Sequence, residues 1–138
     1  MIITCNTTHI ENLNEMLSYF NVILTKEEMI DNPFVRYYAY CSNNEFIGFI
    51  SYSVMYERAE LNYIYVKPDY RGTEVASLLI EDMFCKCHDC GVKSITLEVR
   101  ESNIAAISLY NKFGFETISK RANYYHNEDG LLMEKVLQ

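Results

Sequence analysis

The chain has 138 residues, of which 49% are hydrophobic and 22% charged, and it carries a net charge of −7. That length fits one domain, 1–138, with one real core, and the balance of apolar and charged residues excludes a disordered chain. The acidity excludes the usual nucleic-acid binder, which needs Lys and Arg facing phosphates, and it is compatible with a cationic acceptor.

No stretch approaches ~18 uninterrupted apolar residues, so no membrane span is expected. The start, MIITCNTTHIENL, lacks a charged segment followed by an apolar one, so we expect no signal peptide and a cytoplasmic protein. The spacing predicts a short strand at Ile2–Cys5, then a helix capped by Thr7 or Thr8 and running to about Phe20. Its apolar stripe is Ile10, Leu13, Met16, Leu17 and Phe20. A second helix is expected over Thr25–Ile30, opened by Thr25 with Glu28 three residues on and ended by Pro33.

Two β runs follow, Phe34–Cys41 and Glu45–Met55, joined by a tight turn at Ser42-Asn43-Asn44, and a third covers Ala59–Val66. The segment Val75–Cys90 reads as an amphipathic helix with Val75, Leu78, Leu79, Met83 and Cys87 on one stripe, stopped by Gly91. Lys93–Arg100 alternates as a strand, with Ile95, Leu97 and Val99 on one face and Thr96, Glu98 and Arg100 on the other. A helix at Asn103–Phe113 presents Ala106, Leu109, Tyr110 and Phe113, and strands at about Phe115–Lys120 and Leu131–Val136 end the chain. The order βααβββαβαββ predicts an α+β fold, a mixed and mostly antiparallel sheet with helices on both faces in three layers.

Five cysteines include the cluster Cys85, Cys87 and Cys90 beside His88. Four such residues on one continuous helix do not converge tetrahedrally, and no second ligand pair exists in the sequence, so no metal is expected. An odd count without a secretion signal predicts five reduced thiols.

Two segments can carry chemistry. The run Val66-Lys67-Pro68-Asp69-Tyr70-Arg71-Gly72-Thr73-Glu74-Val75-Ala76 leads from a strand into a helix, whose free N–H groups and dipole suit a diphosphate. In LEVRESNIAAISLYNKFGF, Leu97–Phe115, a strand ends near the carboxylate Glu98, Asn103 opens a helix, and that helix carries the phenol Tyr110 before Gly114. Such a set suits proton removal from an amine and proton delivery to a leaving thiolate. Residue types alone leave plainer readings open: Glu98 paired with Arg100 or Lys93, Asn103 as a helix cap only, and Tyr110 as a core ring.

This arrangement resembles the GNAT superfamily of N-acetyltransferases, which move an acetyl group from coenzyme A to an amine. Within it the chain looks most like the ribosomal-protein alanine N-acetyltransferases, the RimI type. The resemblance covers Ala59–Gln138 well and Met1–Arg58 in outline. It implies acetyl-CoA as cosubstrate, no metal, an amine acceptor that could be a protein N-terminus, and a monomer or homodimer. It implies Glu98 as base, through water, and Tyr110 as the acid that protonates the thiolate. Glu60, where other branches of the superfamily place a carboxylate, is the rival base.

On the same resemblance Ile64, Tyr65 and Val66 contact the pantetheine through their backbone, and the N–H of Val66 serves the thioester oxygen. Arg71, Gly72, Thr73, Glu74, Val75 and Ala76 form the phosphate loop, and Asn103 hydrogen-bonds the cofactor. Glu74 departs from the family pattern, which has glycine there. The stretch Lys120-Arg121-Ala122-Asn123-Tyr124-Tyr125 resembles the Arg-x-Asn-Tyr-Tyr segment that helps to line the family's acceptor cleft. Transfer to a protein N-terminus, transfer to a small amine, and non-catalytic sensing of acyl-CoA are the three functions this reading supports.

Overall fold

The computed structural model describes residues 1–137. Its elements are β1 (Ile2–Thr4), α1 (Ile10–Leu17), α2 (Lys26–Asp31), β2 (Val35–Ser42), β3 (Glu45–Met55), β4 (Arg58–Val66), α3 (Val75–Asp89), β5 (Ser94–Arg100), α4 (Ile104–Lys112), β6 (Glu116–Arg121) and β7 (Gly130–Val136). This is the order expected from the sequence. Single 3-10 turns at Thr7–His9 and Ser18–Phe20 flank α1, so the first expected helix is present in three pieces.

The caps explain the boundaries. Asn6, not Thr7 or Thr8, opens the first helical segment: its side chain accepts from Thr8 N–H at 2.9 Å, while His9 Nδ1 accepts from Asn6 N–H at 3.0 Å. Thr25 caps α2 as expected, its hydroxyl accepting from Glu28 N–H at 3.2 Å. Between β2 and β3 the turn is the two residues Asn43 and Asn44, with φ of 52° and 62°. Two left-handed residues make the turn that matches strand twist, and asparagine tolerates that conformation best after glycine. Gly91 and Gly114, at φ of 87° and 90°, lie just past α3 and α4.

The strands form one seven-stranded sheet in the order β1-β2-β3-β4-β5-β7-β6, antiparallel everywhere except between β4 and β5. Its two faces bury separate clusters. On one, Leu13, Met16 and Leu17 of α1 pack with Leu24, Ala39 and Phe49. On the other, Leu79, Ile80 and Met83 of α3 pack with Ile50, Ile95, Leu97 and Met133. There α4 lies beside α3, with the Phe84 and Phe113 rings 6.1 Å apart. Leu78, expected on the buried stripe of α3, is exposed, and Ile80 is buried in its place. Among the described residues no helix is long and apolar enough to cross a membrane.

One irregularity positions everything that follows. The β3–β4 register runs Ser51↔Tyr63 but Tyr52↔Leu61, so Asn62 is an extra residue in β4. Strand side chains alternate faces, so one inserted residue flips those beyond it. Ala59 and Leu61 therefore pack on the α3 side, as do Ile64 and Val66 beyond the bulge, while Tyr63 and Tyr65 turn to the α1 side.

Candidate active site

The single parallel pairing is short. β4 and β5 are in register only through Arg58↔Ser94, Ala59↔Ile95 and Glu60↔Thr96. Beyond Glu60 and Thr96 they part, although β4 stays on β3 as far as Val66 and β5 stays on β7 as far as Arg100. The sheet thus opens in its middle, and a cavity of about 880 Å³ occupies the gap. Tyr19, Phe20 and Tyr63 bound it on the α1 side, and Ala106, Leu109 and Tyr110 bound it on the α4 side. It is a passage through the sheet.

The ladder fixes which backbone groups face that gap. Lys67 N–H donates to Ile47 O at 2.9 Å, toward β3. Antiparallel pairing alternates, so Tyr65 and Tyr63 also address β3, whereas Ile64 and Val66 turn their N–H and C=O groups to the split. Val66 O accepts there from Arg71 Nε at 2.9 Å. Of the three expected backbone contacts, Ile64 and Val66 line the cavity; Tyr65 points its backbone at β3 and its ring into the α1-side cluster.

The turn into α3 is open. Gly72 has φ of 78° and nothing lies within 4 Å of where its Cβ would be. Glu74 sits at the cap position of α3 with no side-chain bond, exposed to solvent. The first turn of a helix leaves its N–H groups without intrahelical partners, and Leu78 N–H is bonded to Glu74 O at 2.9 Å. Arg71 and Ala76 line the cavity, while Gly72, Thr73, Glu74 and Val75 stand outside its wall. Free N–H groups, a glycine in the left-handed region and an unpaired strand edge beside one passage fit a long diphosphate-bearing ligand.

Glu98 and Tyr110 are brought to the same cavity from opposite faces of the sheet. The Glu98 side chain is 15% exposed, and its Oε1 lies 3.2 Å from Arg121 Nε. Its Oε2 is buried with no hydrogen-bond partner among the described residues. The partners envisaged from sequence are engaged elsewhere: Arg100 with Glu128 at 3.0 Å, and Lys93 with Glu57 at 3.4 Å. Tyr110 is 8% exposed, and burial, with Tyr125 adding to it, pushes its hydroxyl up to about 12. It is a phenol held protonated. Asn103 does both things its type allows: it caps α4, accepting from Ala106 N–H at 3.2 Å, and it lines the cavity.

Glu60 lies on the paired part of β4, exposed and off the cavity wall. In the cysteine cluster Cys87 is buried, whereas Cys85, Cys90 and His88 are exposed, and no group of three or more metal-binding side chains converges among the described residues. Sequence reasoning missed Phe20 and Asn21 as wall residues, and Arg121 as the partner of Glu98. Only the aromatic stretch after Lys120 signalled that the β6–β7 connection reaches the site, which Tyr125 does.

A split sheet, a strand with free backbone groups, and an open helix start beside a carboxylate and a phenol define an enzyme that takes an acyl group from coenzyme A and gives it to an amine. The chain belongs to the acetyltransferase (GNAT) family, whose model matches residues 8–115. It is similar to a Bacillus subtilis (strain 168) protein described as a candidate ribosomal protein bS18-alanine N-acetyltransferase: 32% identity over 108 residues, 77% of this chain and 72% of the relative. To the ribosomal protein bS18-alanine N-acetyltransferase of Escherichia coli (strain K12) it is 38% identical over 88 residues, 64% of this chain and 60% of that protein. The crystal structure of the ribosomal-protein-S18-alanine N-acetyltransferase from Escherichia coli superposes with a TM-score of 0.88 at 26% identity, covering 100% of this chain and 94% of that one.

Proposed function

We propose that this acetyltransferase modifies the N-terminal α-amine of a protein, with a ribosomal protein as its acceptor. The observation that carries the mechanism is Glu98, a mostly buried carboxylate on the cavity wall with one oxygen free. The acceptor class is supported by the relatives, whose names specify the alanine of ribosomal protein bS18. It is supported too by a cavity that reaches the α1 face between Phe20 and Tyr125.

Acetyl-CoA supplies the acetyl group as a thioester. On this reading the backbone N–H groups from Gly72 to Ala76 take the diphosphate, with Arg71 beside them. Ile64 and Val66 pair with the pantetheine amides as an added strand would, and Asn103 contributes from the start of α4. The acceptor arrives as an ammonium, pKa ~8 for an α-amine. Glu98 takes one proton from it, through water, and the freed nitrogen forms its bond to the carbonyl carbon. Val66 N–H donates to the oxygen that gains charge. Tyr110 gives its proton to the sulfur as the C–S bond breaks, and regains one, through water, from the new amide nitrogen. Glu98 releases its proton to solvent, so each turnover yields one amide, one thiol and one proton.

The test is turnover with acetyl-CoA on peptides that begin with Ala, on the same peptides with a blocked N-terminus, and on a panel of polyamines, amino acids and aminoglycosides. We expect acetylation of the free peptide N-terminus and none of the blocked one. A kcat/KM on any small amine above that on every peptide would move the assignment to small-amine acetylation.

A further inference from the structure

We propose that Arg121 is the positioning residue for Glu98: it ties down Oε1 and leaves Oε2 as the atom that receives the proton. This rests on the reading of Glu98 as the base. The contact is one-sided, Arg121 Nε to Glu98 Oε1 at 3.2 Å, while Oε2 is buried and without a partner. A fork-on-fork pair would occupy both oxygens; a contact at one leaves the other available.

The guanidinium is held from its outer side. It lies 5.4 Å from the centre of the Tyr124 ring, and that ring packs onto Gly130, where a Cβ would come within 2.9 Å of it. Gly130 is the cross-strand partner of Arg121 itself. The β6–β7 connection is in turn fastened to the site's rim. Glu128 holds Arg100 at 3.0 Å and accepts from Ser102 N–H at 3.3 Å, and Asp129 accepts from Asn123 N–H at 2.9 Å. Arg121 is therefore delivered to Glu98 by a braced hairpin, although its side chain stays 53% exposed.

The other charged and titratable groups around Glu98 do not substitute for Arg121. Arg100, next on the same face of β5, is engaged by Glu128 and stacked 4.4 Å over the Tyr125 ring. Tyr125 from the β6–β7 connection, Tyr63 from β4 and Tyr110 from α4 are phenols on the same cavity wall. Glu134 of β7, two residues from the Glu98 partner Leu132, adds only negative charge. Arg121 is thus the one cation in contact with the carboxylate among the described residues.

The experiment measures kcat, KM and melting temperature on an Ala-initiated peptide for the wild type, Arg121→Gln, Arg121→Lys and Glu98→Gln. We expect Arg121→Gln to lose at least ~10-fold in kcat, with the KM for acetyl-CoA and the melting temperature near wild type, because a carboxylate no longer held at Oε1 presents Oε2 in the wrong place. Arg121→Lys should recover most of that loss, since an ammonium can still hold Oε1. An unchanged kcat in Arg121→Gln, a loss carried by KM alone, or an Arg121→Lys no better than Arg121→Gln overturns the role of Arg121 while the base reading stands. Full activity in Glu98→Gln overturns the base reading itself, whatever the Arg121 variants give.

Discussion

At the scale of single residues, two side chains separate chemistry from packing. Glu98 and Glu60 are both carboxylates on strands that border the split, but only Glu98 lines the cavity. On the proposed roles, Glu98→Gln should lower turnover by about 10²–10³ with acetyl-CoA affinity barely changed, and Glu60→Gln should leave turnover near wild type. Steady-state kinetics with calorimetry of the cofactor decides it, and a larger loss in Glu60→Gln would move the base there. Tyr110 packs its ring 5.8 Å from Phe115 and keeps its proton to about pH 12. Tyr110→Phe retains the ring, so the melting temperature should hold while turnover falls at least ~10-fold. Loss of stability by about 1 kcal/mol with turnover per folded molecule intact would make it a core tyrosine only.

Elements act through the placement of β4 and the start of α3. Gly48 lies opposite Val66, and a Cβ there would stand 2.7 Å from Tyr65 O, a backbone atom with little room to move. Gly48→Ala should therefore displace the end of β4 that carries Val66. We expect a stability loss of about 1–3 kcal/mol by denaturant unfolding, and a fall in kcat larger than the unfolded fraction explains. Glu74 stands at the cap position of α3 without a side-chain bond, so its negative charge lies at a helix start that favours an anion. Glu74→Gly should tighten acetyl-CoA binding by calorimetry, by about 0.5–1 kcal/mol at a screened surface. Unchanged or weaker binding would show that the carboxylate lies clear of the phosphates.

For the whole molecule, the two faces of the sheet share one response to alkali. Cys5 in the α1-side cluster and Cys87 in the α3-side cluster are each pushed from 9.0 up to about 12, chiefly by burial. Each folded-state pKa lies above its unfolded value, so the unfolded chain loses its protons first. Their contribution to stability is whole below pH 9 and is lost as pH rises from 9 toward 12. Thermal melts should be flat up to the ordinary thiol range and decline above it. Cys87→Ala should start lower, because it leaves a cavity, and decline less steeply. Parallel slopes for the two proteins would remove the thiol from the explanation.

The order of elements and the chemistry on offer are legible in the amino-acid sequence. Alternation in Lys93–Arg100 put Glu98 on the face away from Ile95, Leu97 and Val99, and helical spacing put Tyr110 on the buried side of α4; both hold. Family motifs led from there to an acetyltransferase. Local signals carry this far because side-chain periodicity and caps are properties of short segments. The remainder is nonlocal. The bulge at Asn62 shows itself only against the register of β3, and the split after Glu60 and Thr96 only once both strands have other partners. The meeting of Arg121 with Glu98 depends on β7 lying between β5 and β6, an order that no spacing along the chain encodes.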